Sequence, residues 1–564
     1  MKKQKITAIL MAVSFAVAAL SGCNTNPDAG SSTQTTGSST ATDSSEGKSS
    51  EGEEKIVRIG TISSPSGIFN PLYSNDDWTG YVVSLVYEPL LSIDENAEYK
   101  GDLAKSWEIS SDSKTVTFHL VDNAEWTDGE PFTAEDVKFT LEFMADPAYT
   151  GLNSTYVAPI AGYQDYHSGK ADALSGVNVV DDHTIEITTT DVYASFLEKI
   201  GRSIRIIPEH IWKEIDVATA DQNTDLLQNP VGLGPFEVTE YVPDQYTVLK
   251  KNADYFKGEP KLDEIVVQVI NADTVQAQVL NGEIDVLRLE SSNPDDLEEY
   301  KNAGVQIFNT RMNAFQHMIP NFHNKYLADK TVRQALAHAI NRQGIVDSQL
   351  YGYGAVANTL YTEGFWAYPG ADELDAYAYD PEKAKELLIE DGFSYKGDKL
   401  YDADGNQVTF RLIYPSGNKA REGAAAVIQQ NLGEIGIDVD LQLMEFAAMS
   451  AQVQKHDDSY DLALIGNGFG ADADVTQLVG TDGTNNHSGY SSDEMDELLS
   501  KGVSYIDNET RQPIYEEIAK LANEDLPTIY LYNWDRFTVV NSRVKNVTVT
   551  PYSFYDGVEN WDIQ

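Results

Sequence analysis

Residues 102–144 read DLAKSWEISSDSKTVTFHLVDNAEWTDGEPFTAEDVKFTLEFM and hold the most informative pattern in the chain. Apolar and polar residues alternate over 115–121, which predicts a strand. An Asp-Gly turn follows, and Thr133 with Asp136 three residues later is typical of a capping box at the start of a helix. A strand, a turn and a capped amphipathic helix in succession indicate a fold that mixes both kinds of element.

Strand patterns and helix patterns alternate through the rest of the chain. Apolar residues repeat at every second position in some segments and at spacings of three and four in others, which distinguishes strands from helices. Because the two kinds are interleaved and no short repeat is present, we predict an α/β body rather than a solenoid or a propeller. The predicted strands are 55–61, 115–121 and 437–443, and the predicted helices are 133–144, 331–343, 381–391, 421–434 and 510–523.

Length and charge restrict the class of protein further. The chain has 564 residues, which corresponds to about three to four domain-sized units. It carries 40 Lys and Arg against 89 Asp and Glu, a formal net charge of -49, so phosphate backbones and anionic lipid headgroups would repel it. Nucleic acid is therefore not an expected partner. The single cysteine, Cys23, excludes an intramolecular disulfide and a cysteine-rich metal site.

The N-terminal residues have the pattern of an export signal. Three lysines precede a largely apolar run over 6–20, which is too short to cross a bilayer as a stable helix. The run ends in Leu-Ser-Gly-Cys, which resembles the lipobox of bacterial lipoproteins. We therefore predict a signal peptide over 1–22 and lipid attachment at Cys23. The alternative is an ordinary cleavage site followed by a chance cysteine.

The residues that follow Cys23 differ in composition from the rest of the chain. Residues 24–54 contain no Val, Ile, Leu, Met, Phe, Tyr or Trp and are dominated by Ser, Thr, Gly and acidic residues. A segment without apolar surface to bury is predicted to be disordered. We therefore expect 23–54 to be a tether between a lipid anchor and a body that begins near Lys55.

Several motifs stand in a fixed order along the body. They are 102–107 and 123–137 of the opening pattern, then GLGPF at 232–236, NADYF at 252–256, GEIDV at 282–286 and VRQAL at 332–336. Together they resemble family 5 of the extracellular solute-binding proteins, the group that contains oligopeptide- and dipeptide-binding lipoproteins of ABC importers. The resemblance covers nearly all of 56–564, and its departures at Val121 and Leu233 fall in scaffold segments.

The resemblance implies a fold and a division of the chain. The implied fold is a two-lobed α/β structure like that of the periplasmic binding proteins, with a hinge of two crossing strands and an extra subdomain in lobe one. We place the crossings near 312–321 and 528–532. The predicted divisions are lobe one at 55–314 with an inserted subdomain at about 96–205, lobe two at 315–528, and a return to lobe one at 529–564.

The implied ligand site is the cleft beside the hinge, since two-lobed binders close over their ligands there. Asp472 and Phe469 lie in a Gly-Phe-Gly-Ala-Asp sequence that is similar to the family's Gly-Trp-x-x-Asp motif. In that motif the carboxylate anchors a peptide's α-amino group and the aromatic ring forms a wall of the cleft. A buried ammonium group needs such an opposite charge. The alternatives for Asp472 are a solvated acidic loop or, together with Asp474, a weak Ca²⁺ site.

Further candidate residues lie near the crossings and the lobe edges. Gly466 stands where some oligopeptide binders of the family carry an arginine that pairs with a carboxylate. Lys419 and Arg421 are the candidate replacements, their alternative role being surface charge at a helix start. His317 is expected to form hydrogen bonds in the hinge rather than to bind a metal, because the nine histidines show no ligand spacing. Candidates for further cleft walls, or otherwise for core packing, are Phe315, His317, Trp366, Trp78 and Tyr81.

The resemblance implies a carrier and not an enzyme. We expect a monomeric, lipid-anchored receptor on the outer face of the bacterial cytoplasmic membrane, which captures an oligopeptide or dipeptide and delivers it to the separate permease chains of an ABC transporter. No cofactor or metal is expected. The same family includes oligosaccharide and nickel binders, which are alternatives. A secreted glycoside hydrolase is the alternative of another class, because 89 acidic residues offer many carboxylate pairs, whereas the motifs of serine hydrolases, zinc proteases and nucleotide binders are absent.

Overall fold

The structure is a computed structural model that describes residues 54–271, 273–289, 293–455 and 457–564. The predicted signal peptide over 1–22, the predicted lipid attachment at Cys23 and all but the last residue of the predicted tether lie outside the described residues. Residues 54–564 belong to one structural unit.

The strands of the described residues are numbered in chain order. They are β1 (Ile56–Thr61), β2 (Leu91–Ile93), β3 (Tyr99–Gly101), β4 (Ala104–Ile109), β5 (Thr115–Leu120), β6 (Val177–Asp181), β7 (Thr184–Thr188), β8 (Phe236–Val242), β9 (Tyr246–Lys251), β10 (Glu264–Val269), β11 (Val286–Arg288), β12 (Gln306–Arg311), β13 (Ala314–Pro320), β14 (Gly354–Val356), β15 (Ser394–Lys396), β16 (Lys399–Tyr401), β17 (Thr409–Pro415), β18 (Asp438–Met444), β19 (Leu462–Gly468), β20 (Ile529–Val540), β21 (Val544–Lys545) and β22 (Asp562–Ile563).

The α-helices are numbered in the same way, and short 3₁₀ turns and one π-helical turn at Leu197–Arg202 lie between them. They are α1 (Asp77–Val86), α2 (Ala134–Ala145), α3 (Tyr163–His167), α4 (Glu209–Trp212), α5 (Thr224–Gln228), α6 (Val275–Leu280), α7 (Pro294–Asn302), α8 (Lys330–Ala339), α9 (Arg342–Gln349), α10 (Pro381–Glu390), α11 (Lys419–Glu434), α12 (Phe446–Val453), α13 (Thr476–Val479), α14 (Asp493–Gly502) and α15 (Asn508–Asp525).

The elements predicted within 102–144 are confirmed. Strand β5 buries every second side chain. Helix α2 begins directly after Thr133, whose backbone N–H donates to Asp136 Oδ2 at 2.9 Å, as a capping box requires. The local pattern therefore determines both the element and the residue at which it starts.

The single helix predicted over 331–343 is wrong, because the structure has two helices there. Helix α8 ends at Ala339 and α9 begins at Arg342. Between them the Asn341 side chain accepts a hydrogen bond from Gly344 N at 2.8 Å and so caps α9. An asparagine that competes for backbone N–H groups favours a new helix start over helix continuation.

One twelve-stranded sheet runs through the molecule. Its strand order is β18-β17-β19-β13-β20-β11-β1-β10-β9-β8, with β12 and β14 also paired to β20. The strand β20 pairs with β13 as far as Tyr532 and with β12 from Asp535 onward. The chain therefore passes from one half of the sheet to the other twice, first between β12 and β13 and again within β20. The second passage lies between Tyr532 and Asp535, just after the predicted crossing at 528–532.

A separate four-stranded antiparallel sheet lies within the predicted inserted subdomain. Its strand order is β4-β5-β7-β6, and α2 lies against it, since α2 contacts β6. Strand β5 buries Val116, Phe118 and Leu120 under α2 in the same hydrophobic cluster that holds Val137 and Leu141.

Apolar side chains form two large buried clusters, one in each half of the long sheet. The first contains residues from β1, the four-stranded sheet and the C-terminal segment after β20. The second contains residues from α8, α11, α15 and strands β17 and β19. The molecule is thus a mixed α/β, two-lobed structure, while the numbered lobe boundaries stay predictions. Among the described residues, no helix has both the length and the apolar composition that crossing a membrane requires.

Candidate functional site

Two cavities lie on either side of the place where the chain passes between the halves of the sheet. The larger has a volume of about 910 Å³ and the smaller of about 510 Å³. Both are bordered by Met312, Arg536 and Pro551, so they are two ends of one cleft, called the interlobe cleft below. A cleft of this size suits a small organic ligand or a peptide.

The larger cavity lies where two parallel strands of the second half of the sheet end. Strands β17 and β19 are parallel, and the chain turns after β17 into the start of α11 at the same edge. The carboxyl ends of parallel strands are where open α/β sheets place their ligands. The cavity is lined there by Gly417, Asn418, Lys419, Ala420, Arg421, Gly466, Asn467, Gly468 and Phe469, and from other elements by Gln316, Tyr351, Tyr532, Trp534 and Asp535.

The smaller cavity lies against the first half of the sheet. It is bordered by the start of α1, by the ends of β11 and β12, and by the C-terminal segment over 549–555. Tyr81 lines it and packs edge-on against Phe554, with ring centroids 5.0 Å apart. Asp76, Asp77 and Arg288 place both signs of charge around this end of the cleft.

Asp472 lies beside the cleft and already has a counter-ion. Its Oδ1 accepts hydrogen bonds from Arg511 Nη2 at 2.7 Å and from Asp474 N at 3.0 Å. Burial alone would raise the pKa of Asp472, but the charge and hydrogen bonds of Arg511 hold that pKa below its ordinary value. Oδ2 is buried and makes no hydrogen bond of normal geometry, although the Ser195 hydroxyl also helps to lower the pKa. The Asp472 carboxylate is therefore ionised, and its negative charge is already balanced by Arg511.

The Asp472–Arg511 pair belongs to a contact between the two lobes, called the interlobe seam below. Arg511 Nη1 donates to the Ala194 carbonyl at 3.4 Å across this contact. A Cβ added at Gly470 would lie 2.7 Å from Oε1 of Glu198, whose carboxylate pairs with Arg202 at 2.7 Å. The segment over 194–202, which lies in the predicted inserted subdomain, and the second half of the molecule thus touch through buried polar groups.

Arg421 has a different environment at the larger cavity. Its Nε donates to Gln316 Oε1 at 2.9 Å. The Gln316 side chain occupies the space beside Gly466, because a Cβ added at Gly466 would lie only 2.3 Å from Gln316 Nε2. Burial lowers the pKa of the Arg421 guanidinium and the nearby Tyr532 hydroxyl acts in the opposite direction, with no carboxylate contributing.

The structure brings three of the predicted ligand residues to the interlobe cleft. Phe469 and Arg421 line the larger cavity, and Tyr81 lines the smaller one. Phe469 stacks on Phe315, with ring centroids 5.8 Å apart. Ligand contact by any of these residues stays a prediction, but their position matches it.

The other predicted ligand residues do not line the cleft. Asp472 is enclosed beside Arg511 in the interlobe seam, and its role as the anchor of an α-amino group stays a prediction. Phe315 is only 1% exposed and packs in the second cluster, so it supports Phe469 rather than forming a wall. Trp366 donates from Nε1 to the Ala471 carbonyl at 2.8 Å, and Trp78 packs on Tyr81 at 5.6 Å.

His317 forms the hydrogen bonds that were expected of it. Its Nδ1 lies 2.7 Å from Thr528 Oγ1, and its Nε2 lies 3.0 Å from Asn467 Nδ2. Thr528 donates its own proton to the Met318 carbonyl, so His317 carries its proton on Nδ1 and accepts at Nε2. Burial, with His487 and Arg421 nearby, lowers the pKa of His317 to about 3.

Sequence reasoning missed several residues that border the cleft or the seam. Gln316 lies between Phe315 and His317 and projects to the opposite side of β13, where it holds Arg421. Tyr351 lines the larger cavity in a left-handed backbone conformation, with φ 55° and 53% of its surface exposed. Such conformations are uncommon for a bulky residue and are often found at ligand sites, which is a signal only the structure reveals.

Metal-ligating side chains do not cluster in the part of the chain that the structure describes. No group of three or more His, Cys, Asp or Glu side chains there is arranged to hold a metal ion.

Comparison with known proteins agrees with this geometry. The profile of the bacterial extracellular solute-binding proteins, family 5 (middle region), matches residues 98–489. The oligopeptide-binding protein AppA of Bacillus subtilis is 28% identical over 568 residues, covering 100% of this chain and 99% of AppA. The solved structure of AppA in complex with a nonapeptide has a TM-score of 0.68 at 26% identity, covering 91% of this chain and 99% of AppA.

Two further solved structures have the same fold. The ABC transporter substrate-binding protein CtaP of Listeria monocytogenes has a TM-score of 0.77 at 28% identity, covering 90% of this chain and 99% of CtaP. NikZ of Campylobacter jejuni, in complex with Ni(L-His), has a TM-score of 0.69 at 25% identity, covering 90% of this chain and 99% of NikZ.

The fold and the cleft define a two-lobed solute-binding protein. The chain belongs to family 5 of the bacterial extracellular solute-binding proteins, because the family profile matches well over half of it.

Proposed function

We propose that this protein binds peptides in the interlobe cleft and delivers them to the permease of an ABC transporter. It acts as a carrier and catalyses no reaction. The observation that carries the proposal is the cleft itself, formed between two lobes in a chain that aligns over its whole length with an oligopeptide-binding protein. The solved complex of that relative with a nonapeptide supports the same class of ligand.

An open strand edge at the larger cavity supports a peptide ligand. On one side β19 pairs with β13 along its whole length, from Leu462 to Gly468. On its other side, it pairs with β17 only at Leu462 and Ala463 within the described residues. The part of this edge that does not pair with β17 contains Gly466 and Gly468, and both residues line the cavity. A peptide could extend the sheet there with main-chain hydrogen bonds, which are independent of its side chains.

We propose that the mature protein is anchored through a lipid on Cys23 to the outer face of the cytoplasmic membrane and works as a monomer. A Cys23→Ala variant should be released to the medium and still bind ligand. Retention of that variant in the membrane fraction would contradict the anchor.

The ligand class is tested by identifying what the protein carries. The full chain is purified from its membrane without added ligand, denatured, and the released small molecules are analysed by mass spectrometry. We expect a mixture of short peptides in roughly one-to-one proportion to protein. A bound oligosaccharide, or nickel in a small chelate as in the NikZ complex, would replace the peptide proposal with one of its alternatives.

A further inference from the structure

Three bulky residues among those that the structure describes have a left-handed backbone conformation. Tyr351, Tyr377 and Leu526 have φ angles of 55°, 37° and 48°. In this conformation the side chain crowds the backbone, so each of these residues costs the folded state some stability. Such a residue persists only where other interactions compensate for the strain.

Two of the three residues are compensated by burial. Tyr377 is 3% exposed, and its hydroxyl donates to the Asn523 carbonyl at 3.0 Å. Leu526 is 1% exposed and packs in the second hydrophobic cluster. In both cases the packing of the side chain accounts for the strained backbone.

Tyr351 has no such compensation within the protein. Its side chain lies outside the second hydrophobic cluster and is 53% exposed. Within the described residues, its ring pairs with no other ring and its hydroxyl makes no hydrogen bond. The fold therefore bears the strain of this tyrosine and gains little from its ring.

The backbone at Tyr351 forms a tight turn that does not call for a tyrosine. Tyr353 N donates to the Leu350 carbonyl at 2.8 Å, which closes a β-turn over 350–353. Both central residues, Tyr351 and Gly352, have positive φ angles, as in a type I′ turn. Asn, Asp or Gly normally stands first in such a turn because these residues tolerate the conformation.

The two ends of the turn are held by the core. Leu350 is 7% exposed and belongs to the second hydrophobic cluster. Tyr353 packs edge-on against Phe537, with ring centroids 4.8 Å apart, and the next residue, Gly354, pairs with Trp534. The turn is therefore fixed at the border of the larger cavity, which Tyr351 lines.

The lining of the larger cavity indicates which side chain of a peptide would bind there. Its other aromatic residues are Phe469, Tyr532, Trp534 and Phe537, and its charged residues are Lys419, Arg421, Asp535 and Arg536. Asp535 is paired with Arg311, so the cations are in excess and disfavour a Lys or Arg side chain of the ligand. An aromatic side chain buries no charge and gains from pairing with rings.

We infer that Tyr351 is a specificity-determining residue, whose ring binds an aromatic side chain of the peptide. The preferred ligands are thus peptides that contain Phe, Tyr or Trp. They are preferred over peptides with an aliphatic side chain, because aromatic pairs are stabilised beyond the area that they bury. This inference rests on the proposed function and specifies the class of peptide.

The test is a competition between peptides that differ in one side chain. Nonapeptides of Gly, Ala, Ser and Thr in random order are made with a single Phe, Leu or Lys at a random position. The three sets are mixed in equal amounts, in excess over the full-chain protein, and the retained peptides are counted by mass spectrometry after gel filtration. The ratio of two retained sets then reflects the inverse ratio of their mean dissociation constants.

We expect the Phe set to be retained about threefold to tenfold more than the Leu set, the range that an aromatic pair provides. The Lys set should be retained least. Equal retention of the Phe and Leu sets would mean that size alone is recognised. Strongest retention of the Lys set would mean that the rings bind a cation. Either result overturns the inference and leaves peptide binding established.

Matched variants locate the preference on Tyr351. Tyr351→Gly removes the ring and should bring the Phe and Leu sets to within about twofold of each other, whereas Tyr351→Phe should restore the preference. Tyr505→Gly removes a ring that is 40% exposed and lies outside the larger cavity, so the wild-type ratio should remain. An unchanged preference in Tyr351→Gly would assign it to another ring and overturn the inference.

Urea denaturation separates recognition from packing. Glycine adopts a positive φ without steric conflict, so the urea midpoint of Tyr351→Gly should be no lower than that of the wild type. Leu526→Gly relieves the same kind of strain but removes a buried side chain, so its midpoint should fall. A lower midpoint in Tyr351→Gly would show that the ring stabilises the fold and would overturn the inference.

One outcome concerns the proposed function itself. If none of the three peptide sets is retained by the wild-type protein, the proposed function fails and the inference fails with it.

Discussion

Two arginines of the second half of the molecule face the space between the lobes and have opposite surroundings. Arg511 is 1% exposed and is held by the Asp472 carboxylate, the Gly502 carbonyl and the Tyr515 hydroxyl. Arg421 is held by one neutral amide beside an open cavity. A saturated charge stabilises a fixed contact, whereas an unsaturated one is available for a ligand. We therefore expect the interlobe seam to stabilise the fold and the larger cavity to bind the ligand.

The largest effect on stability is expected when the interlobe seam loses the charge of Arg511. Arg511→Met leaves Asp472 buried without a counter-ion, which should lower the free energy of unfolding by about 3 to 5 kcal/mol. The measurement is urea denaturation followed by circular dichroism. The double variant Arg511→Met/Asp472→Asn should recover most of the loss, since no unpaired charge remains.

An exposed ion pair provides the control for this variant. Lys501 pairs with Glu497 on the surface of α14, so Lys501→Gln should leave the urea midpoint nearly unchanged. If Arg511→Met were as stable as the wild type, the pair would not hold the seam and the contrast with Arg421 would disappear.

The second effect is a pH dependence of stability that arises chiefly from the burial of His317. Burial, His487 and Arg421 together lower the pKa of His317 from about 6.5 to about 3. His317 is therefore neutral in the folded state at a pH where the unfolded chain binds a proton. Its contribution to stability is complete above about pH 6.5 and decreases as the pH falls toward 3, with a slope of up to about 1.4 kcal/mol per pH unit.

The measurement for His317 is urea denaturation at several pH values between 4 and 7.5. His317→Gln should be less stable than the wild type at neutral pH but should lose less stability on acidification. His323→Gln, at an exposed site, should keep the wild-type pH profile. A wild-type profile in the His317 variant would mean that the loss of stability in acid comes from other groups.

The periodic parts of the fold could be predicted from the sequence, because local spacing determines them. The capping box before α2 and the alternation in β5 are local signals, and both elements begin where predicted. The two-lobed arrangement came from the motifs of the family and not from periodicity. The break between α8 and α9 was missed because the apolar spacing continues across it, while the capping of α9 by Asn341 interrupts the helix.

The residues of the site were predicted less well, for a physical reason that β13 illustrates. All seven residues of β13 are buried, so no amphipathic pattern shows which side faces the cleft. Phe315 and His317 were chosen for their chemistry, but the intervening Gln316 is the residue that lines the larger cavity. Similarly, the pairing of Asp472 with Arg511 joins residues 39 positions apart and depends on tertiary packing alone.

The smallest effect is expected from alanine substitutions at two glycines of one segment. One glycine lies at the interlobe seam and the other at the larger cavity. Gly468 and Gly470 lie two residues apart at and just after the end of β19. A Cβ at Gly470 would approach Glu198 Oε1 to 2.7 Å across the seam, whereas the nearest atom to a Cβ at Gly468 is Ala314 Cβ at 3.6 Å, an ordinary contact. Gly470→Ala should therefore push the lobes apart, and Gly468→Ala should not.

We expect Gly470→Ala to weaken peptide binding by about tenfold, or ~1.4 kcal/mol, because the buried Glu198–Arg202 pair must shift before the lobes can close. Calorimetry with the peptides identified by mass spectrometry gives the dissociation constants. Solution scattering shows whether the liganded Gly470→Ala variant keeps a larger radius of gyration than liganded Gly468→Ala. Closure is driven only by the difference in ligand affinity between the open and closed states, so a strained seam should cost affinity even though it touches no ligand. A wild-type dissociation constant in the Gly470→Ala variant would show that the seam does not take part in closure, and Arg511 would then stabilise one lobe and not the contact between them.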